Sequence, residues 1–218
     1  MRRIQKSKLK QYAVTVCFAL VIGLLLRTFV VQAYRIPSRS MEDTLVRGDF
    51  LLMSKLSYWF SEPDAGDVVV FEYPLNPSKS FIKRIIAVEG QSVEIINKRL
   101  YVDGQPAEDW FPYKYTDYQI YPPEYSNRDN FGPFEIPPGQ YFVLGDNRDN
   151  SQDSREWGFL EREYIKGKAF LVYFSWAPDP EAPAWSNNYI SSFFEILFYN
   201  LTHFPWRVRW ERIGTVVR

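Results

Sequence analysis

An apolar run near the start of the chain is the feature that most restricts how this sequence folds. Residues 12–31 read YAVTVCFALVIGLLLRTFVV, and only Thr15, Arg27 and Thr28 interrupt their apolar character. A helix of this length extends ~30 Å, which is the thickness of the hydrocarbon core of a bilayer. We therefore predict a transmembrane anchor over 12–31, preceded by a basic tail over 1–11 and followed by a folded part over 32–218.

Basic residues around this run predict its orientation. Only Arg35 follows the run closely, whereas five basic residues precede it: Arg2, Arg3, Lys6, Lys8 and Lys10. Because basic flanks stay in the cytoplasm, we predict a cytoplasmic tail and an extracytoplasmic body. A cleaved secretory signal is the alternative, since Ala13–Leu26 contains no charged residue and Val31-Gln32-Ala33 resembles a cleavage site. Arg27 lies between that core and that site, which favours the uncleaved anchor.

Composition excludes several kinds of site. The chain has one cysteine, Cys17, and one histidine, His203, which excludes a disulfide within the chain, a thiolate cluster or a zinc centre with several histidines. Residues 1–35 hold seven basic residues and no acid, so the remainder carries 19 basic and 26 acidic side chains. An acidic body lacks the basic face of a nucleic-acid-binding protein. We expect no metal, no other cofactor and no nucleic-acid partner.

Beyond the anchor, short apolar runs alternate with turn residues, which indicates antiparallel strands. We predict a mostly-β fold with a loop-rich insertion over 105–139, where seven prolines disturb the pattern. An aromatic, helix-like segment spans 186–206. Its apolar stretch Tyr189–Phe204 is short for a second membrane span, so we interpret it as an interfacial or packing helix. A final strand is predicted after it. The predicted strands are Phe50–Met53, Val68–Phe71, Ile82–Val88, Ser92–Ile96, Leu100–Val102, Gln140–Leu144 and Ala169–Trp176, with Asn97-Lys98 as a hairpin turn.

A serine and a lysine in these segments form a candidate catalytic pair. Ser40 lies in a polar turn just after the anchor, and Lys83 lies in the predicted strand Ile82–Val88. Alternation puts Lys83 on the same face as Ile85 and Ala87, in apolar surroundings. Burial disfavours the charged form of a lysine, so the neutral amine can act as a general base toward a serine hydroxyl.

Three further groups complete this hypothesis. A lysine base has no carboxylate to orient it, and Ser151, in the polar segment Gly145–Arg155, is the candidate hydroxyl for holding its nitrogen. The oxyanion of an attacked carbonyl needs hydrogen-bond donors. The backbone N–H of Ser40 and the hydroxyl of Ser38 are the candidate donors.

Taken in order, these segments closely resemble the sequence boxes of bacterial type I signal peptidases, a family of serine proteases with a Ser-Lys dyad. The resemblance covers roughly 10–176 and the final Arg212-Ile213-Gly214 segment, and its blocks are Pro37–Met41, Arg47–Asp49, Lys83-Arg84, Gly145–Ser151 and Asp153–Arg155. It implies a membrane-anchored endopeptidase that removes N-terminal signal peptides from exported preproteins after a small-x-small motif, without a cofactor. It also implies coiled antiparallel sheets behind one membrane helix, on the extracytoplasmic side of the bacterial inner membrane, with lipid as a partner.

The resemblance also assigns roles to individual residues. It implies Ser40 as nucleophile, Lys83 as general base, Ser38 as oxyanion donor and Ser151 as the hydroxyl that positions Lys83. Asp153, Arg155, Arg84 and Asp146 would support the site, the first two as an ion pair. Arg39 and Asp43 depart from the family pattern and remove no reacting group.

Three other interpretations remain open. The chain could be a membrane-anchored Ser-Lys protease with other substrates. It could be a catalytically silent, membrane-tethered binding module of the same fold, which replacement of Ser40, Lys83 or Ser151 would have favoured. A secreted, aromatic-rich binding protein with a cleaved signal is the third.

Overall fold

Antiparallel sheets form the core of the structure, a computed structural model that describes residues 2–107 and 110–218, with the backbone alone for 2–10 and Ala13. Met1 of the predicted tail and residues 108 and 109 of the predicted insertion lie outside the described residues. The strands are β1 Val31–Arg35, β2 Asp49–Ser54, β3 Val68–Tyr73, β4 Asn76–Val88, β5 Ser92–Ile96, β6 Arg99–Val102, β7 Gln105–Pro106, β8 Phe131–Glu135, β9 Gln140–Leu144, β10 Leu160–Glu161, β11 Ile165–Ser175 and β12 Thr215–Val216.

Two sheets organise these strands. The large sheet runs β1-β2-β11-β3-β4-β9-β10, with β12 paired to β11, and the small sheet runs β7-β6-β5-β8. All pairings between the named strands are antiparallel. The mostly-β, antiparallel fold predicted from the sequence is confirmed. The helices are α1 Arg2–Leu25, α2 Ser154–Trp157 and α3 Tyr189–Arg207.

The seven predicted strands all appear, and the largest difference is in β4. This strand begins at Asn76, six residues before the predicted start at Ile82, because Phe81 and Ser80 pair with Phe71 and Glu72 of β3. Residues 76–80 are exposed, so this part of the strand lacks the alternation that signals a strand. The predicted hairpin turn is present: Asn97 and Lys98 join β5 to β6 with φ of 50° and 72°.

The N-terminal helix differs from the predicted anchor. Helix α1 ends at Leu25, a π-helical turn spans Leu26–Val30, and Val31 already pairs with Ser54 in the sheet. Lys55 stabilises this transition by donating from its side chain to the carbonyl of Thr28 at 2.9 Å. Among the described residues, no helix is long and apolar enough to cross a membrane, so the predicted transmembrane helix over 12–31 is not confirmed.

A buried apolar cluster lies beneath the turn that carries Ser40. Met41 and Leu45 of the turn pack with Leu51 of β2, Val70 of β3 and Val172 of β11. Fully burying an apolar side chain of this size stabilises a fold by about 1.5–3 kcal/mol. The turn is therefore held against the large sheet by its own side chains.

Helix α3 contains the predicted helical stretch Tyr189–Phe204 and is stabilised at its start by Asn188, whose side chain accepts from the backbone N–H of Ser191. Among the residues of α3, all within the described part of the chain, only Ser192 is buried. After the helix, Val208 forms an isolated β-bridge with Trp176, the residue that follows β11. Most of its aromatic surface is consequently exposed to solvent.

Candidate active site

The side chains of Ser40 and Lys83 meet in a cleft beside β4. The Lys83 Nζ donates a hydrogen bond to the Ser40 Oγ at 2.9 Å, although the two residues lie 43 positions apart. The Ser38 Oγ lies 3.3 Å from the Ser40 Oγ. Ser40 and Lys83 are 9% and 3% exposed, so the pair is largely shielded from solvent.

Burial sets the protonation of Lys83. Desolvation lowers its pKa from 10.5 to about 8, against the opposing effect of the Asp153 and Asp146 carboxylates. Its ammonium group also lies 5.5 Å from the ring centre of Phe81 on the same face of β4. With a pKa of about 8, roughly a tenth of the lysine is neutral at pH 7, which is enough to supply a base.

The turn that presents Ser40 is held by its backbone and by the segment 145–155. The Leu45 N–H donates to the Met41 carbonyl at 2.7 Å, and Asp43 takes a left-handed φ of 85°. The Asn147 N–H donates to the Ser40 carbonyl at 3.1 Å. This bond connects the serine directly to a loop more than a hundred residues downstream.

Ser151 lies next to the pair, but the structure shows no hydrogen bond between it and Lys83. A Cβ at Gly145 would overlap both the Ser151 Oγ and the Ser40 carbonyl oxygen, so these two atoms pack against the same glycine. The Ser151 Oγ is buried, and its interaction with the Asp153 carboxylate is one of the causes that lower the pKa of Asp153. The close approach explains why position 145 holds a glycine.

Asp153 and Arg155 form a buried ion pair behind this loop. The Arg155 Nε and Nη2 donate to the two Asp153 carboxylate oxygens, each at 2.8 Å. Burial alone would raise the pKa of Asp153, but the Arg155 guanidinium outweighs it and holds that pKa below its usual value. Asp153 also caps α2 and accepts from the Gly145 N–H at 3.1 Å. The pair thus fixes the path of the loop on both sides of Ser151.

Arg84 and Asp146 form a second buried ion pair, on the opposite face of β4 from Lys83. Both side chains are 1% exposed, and the Arg84 Nε and Nη2 donate to Asp146 at 2.9 and 2.7 Å. Thr44 donates to the same carboxylate at 2.6 Å, which ties the Ser40 turn to the pair. Sequence reasoning named Arg84 and Asp146 and missed Thr44, because a threonine within a turn carries no distinguishing local pattern.

A third buried carboxylate, Asp49, was also missed as a site residue, although the resemblance included its block. Its side chain is fully buried and accepts from Arg212 at 2.6 Å and from the Ser175 hydroxyl at 2.6 Å. The Arg212 Nη2 also donates to the Thr44 carbonyl at 3.0 Å. The final Arg-Ile-Gly segment therefore braces the Ser40 turn from outside the sheet.

The cleft at the pair has a volume of about 340 Å³. Ser38, Ser40 and Lys83 line it together with apolar side chains of the turn and of β4: Ile36, Pro37, Met41, Phe81 and Ile82. A larger cavity of about 690 Å³ lies between the small sheet and α2 and contains neither Ser40 nor Lys83. Among the described residues, no group of histidine, cysteine and carboxylate side chains could hold a metal ion.

A buried serine hydroxyl that is hydrogen-bonded to a buried lysine in a cleft is the arrangement of a Ser-Lys serine hydrolase. The chain belongs to the signal peptidase family: the family model described as signal peptidase, peptidase S26, matches residues 9–176. The protein is accordingly a serine endopeptidase.

Two relatives that are similar in sequence agree with this assignment. Signal peptidase I of Aquifex aeolicus is 39% identical over 210 residues, covering 72% of this chain and 82% of the relative. The probable signal peptidase I-1 of a Synechocystis species is 44% identical over 163 residues, covering 72% and 78%. A solved signal peptidase I from Enterococcus faecalis is 27% identical, with a TM-score of 0.39, and covers 50% of this chain and 97% of that structure.

Proposed function

We propose that this protein removes N-terminal signal peptides from exported preproteins, with Ser40 as the nucleophile and Lys83 as the general base. The observation that carries the proposal is the 2.9 Å hydrogen bond from the buried Lys83 Nζ to the Ser40 Oγ. Burial lowers the pKa of Lys83 to about 8, so the amine can accept a proton near neutral pH.

The reaction proceeds in two steps. Neutral Lys83 takes the hydroxyl proton as the Ser40 Oγ attacks the scissile carbonyl, and it then protonates the departing amine. A water molecule, deprotonated by Lys83, hydrolyses the resulting ester and restores Ser40. The Ser40 N–H and the Ser38 hydroxyl stabilise the oxyanion in both steps, and one such donor is typically worth about 2.7–4 kcal/mol.

Two free strand edges support binding of the substrate as an added strand. β9 pairs with β4 only from Arg84 onward, so Ser80–Lys83 has no strand partner on that side among the described residues. β1 is the end strand of the large sheet and leads directly into the Ser40 turn. An extended peptide between these edges gains backbone hydrogen bonds, and alternate side chains enter the cleft. The small cleft favours small residues at positions −1 and −3 before the cleaved bond.

The extracytoplasmic face of a bacterial inner membrane is the proposed place of action. Apolar side chains of α1 are exposed, including Phe18 at 67% and Leu20 at 64%, and the predicted cytoplasmic tail before them is basic. Aromatic side chains of α3 are exposed as well, including Phe198 at 70% and Trp206 at 79%. Exposed apolar surface of this extent is typical of segments that contact lipid.

Vesicle flotation tests the membrane part of the proposal. The full chain is expected to float with vesicles of phosphatidylethanolamine and phosphatidylglycerol, and to stay with them after a salt wash because the contact is apolar. Recovery in the unbound fraction would contradict it.

Cleavage of a preprotein that carries an Ala-x-Ala site tests the catalytic proposal, with the full chain in detergent. Ser40→Ala and Lys83→Ala are expected to lower kcat/KM by at least about a thousandfold, because each removes a reacting group. The matched controls are Ser78→Ala and Lys79→Ala, two exposed residues of β4. Near-wild-type cleavage by Lys83→Ala would refute the dyad. An inactive wild type that still binds the preprotein would favour the binding-module interpretation, and cleavage elsewhere in the preprotein would favour a protease with other substrates.

A further inference from the structure

We propose that Lys114, in the loop-rich insertion, is a positioning residue for the nucleophile Ser40. Its ammonium group holds the Ser40 turn through the carboxylates of Glu42 and Asp43. This inference rests on the proposed function, to which it adds a residue that lies outside the cleft and acts through the turn.

Two neighbouring carboxylates follow the nucleophile and converge on one ammonium group. The Lys114 Nζ donates to the Asp43 Oδ1 at 3.1 Å and lies 3.8 Å from the Glu42 Oε2. The Asn147 Nδ2 donates to the same Glu42 oxygen at 3.3 Å. Among the described residues, neither carboxylate forms a salt bridge with any other basic side chain. Removal of the ammonium group would leave two like charges side by side in a tight turn, where they repel each other.

The backbone of Lys114 is fixed to the loop that contacts the nucleophile. The Lys114 N–H donates to the Asp146 carbonyl at 2.7 Å, and its carbonyl accepts from the Arg148 N–H at 2.9 Å. These two bonds form a parallel bridge to Asn147, whose own N–H donates to the Ser40 carbonyl at 3.1 Å. The ammonium group therefore extends from a support that is itself bound to the Ser40 turn.

The backbone conformation of Asp43 explains why the turn depends on this contact. Its φ of 85° is left-handed, which is costly for residues with a side chain, although aspartate adopts it more readily than most. The Asp43 side chain is 62% exposed, so it packs against little of the protein. The ion pair with Lys114 is consequently the contact that fixes this side chain, at a residue that departs from the family pattern.

The exposure of the pair determines which measured quantity it controls. The Lys114 side chain is 33% exposed, and an exposed ion pair contributes little to the free energy of unfolding. Displacing a reacting group by about 1 Å, in contrast, can lower a rate by about a hundredfold. Loss of the pair is therefore expected to lower kcat and to leave the stability of the fold unchanged. Because Lys114 does not line the cleft, KM is expected to stay the same.

The test replaces Lys114 in the full chain, in detergent, with an Ala-x-Ala preprotein as substrate. Lys114→Met is expected to lower kcat roughly 3- to 10-fold, with KM and the urea unfolding midpoint at their wild-type values. Lys114→Arg keeps the charge and is expected to retain the wild-type kcat. Lys79→Met, at an exposed position of β4, is the matched control and is expected to match the wild type.

A double-mutant cycle tests whether the lysine acts through Asp43. Asp43→Asn removes the charge, and asparagine tolerates the left-handed conformation. This variant is expected to lower kcat by itself, again without a change in the unfolding midpoint. Because both substitutions break the same contact, Lys114→Met/Asp43→Asn is expected to be no slower than the slower single variant, whereas independent effects would multiply.

The outcomes separate this inference from the function on which it rests. A wild-type kcat in Lys114→Met, a loss that Lys114→Arg shares, or losses that multiply in the double variant would overturn the role of Lys114, while cleavage by the wild type upholds the proposed function. A lowered unfolding midpoint in Lys114→Met would place the lysine in folding and overturn its positioning role. A wild-type kcat in Asp43→Asn would also overturn it, whether or not Lys114→Met folds. Failure of the wild type to cleave the preprotein would overturn both proposals.

Discussion

Replacing Lys83 by methionine is expected to stabilise the folded chain while it abolishes hydrolysis. Lys83 is 3% exposed, and its burial lowers its pKa from 10.5 to about 8. Methionine is unbranched and of similar length, so Lys83→Met removes the buried ammonium group with little change in packing. The substitution therefore measures how much the buried ammonium group lowers the free energy of unfolding.

The magnitude follows from proton binding. Below pH 8 the lysine is protonated in the folded and the unfolded chain, and the folded chain carries the full cost of the buried charge. Holding the pKa at about 8 instead of 10.5 costs ~3 kcal/mol in this range, at about 1.4 kcal/mol for each tenfold change in the proton equilibrium. The loss of one hydrogen bond to Ser40 offsets about 1 kcal/mol. A net gain of ~2 kcal/mol in the free energy of unfolding is expected at pH 7.

The lowered pKa of Lys83 also determines whether the free energy of unfolding rises or falls with pH. Between about pH 8 and 10.5 the unfolded chain binds more protons at position 83 than the folded chain, so wild-type stability rises with pH. The advantage of Lys83→Met is consequently expected to shrink across this interval and to disappear above it.

Urea unfolding in a mild detergent, followed by tryptophan fluorescence at several pH values from about 6 to 11, measures both effects. Lys79→Met, at an exposed position of the same strand, is the control and is expected to match the wild type at every pH. A Lys83→Met chain that is less stable than the wild type at pH 7 would refute the reasoning. So would a stability difference that stays constant up to pH 11.

Three other predictions concern the same site. The kcat/KM for an Ala-x-Ala preprotein is expected to rise tenfold per pH unit up to about pH 8, where Lys83 loses its proton, as measured by initial rates across the pH range. Gly145→Ala is expected to lower kcat by at least about tenfold, because its Cβ overlaps the Ser40 carbonyl oxygen and displaces the serine. Asp146→Asn is expected to lower the free energy of unfolding by ~3 kcal/mol in urea titrations, because it leaves the charge of Arg84 unpaired at 1% exposure.

Each of these three predictions has an outcome that would contradict it. A rate that is constant between pH 6 and 8 would mean that Lys83 is not the titrating base. Gly23→Ala is the control for Gly145→Ala, because a Cβ at Gly23 has no neighbour within 4 Å, and equal rates for the two variants would contradict the overlap. Unchanged stability of Asp146→Asn would show that the ion pair contributes no net free energy.

Apolar alternation predicts the strands because burial on one side of a sheet leaves a period of two in the sequence. The same rule puts Lys83 and Arg84 on opposite faces of β4, where the structure has one at Ser40 and the other at Asp146. Local pattern thus predicts the direction of each side chain. The pairing of Ser40 with Lys83 was a hypothesis from the apolar surroundings of the lysine, and the resemblance implied the same pair.

Such local patterns do not predict contacts between polar residues that are far apart in the sequence. Thr44 and Asp146 are 102 residues apart, and Asp49 and Arg212 are 163 apart, so their meeting depends on strand register and on the paths of whole loops. The end of α1 has a similar cause: residues 26–31 are apolar enough to continue a helix, but pairing of Val31 with Ser54 draws the chain into the sheet. In both cases the structure is determined by tertiary contacts and not by the local preference of the sequence.

The contacts of Arg212 with the Ser40 turn have a consequence for the order in which this part of the chain folds during synthesis. Arg212 holds Asp49 and the Thr44 carbonyl, and it lies 163 positions after Asp49 in the chain. Because a nascent chain emerges from the ribosome N-terminus first, the turn exists well before the arginine that secures it. The braced form of the Ser40 turn can therefore arise only after residue 212 has been synthesised.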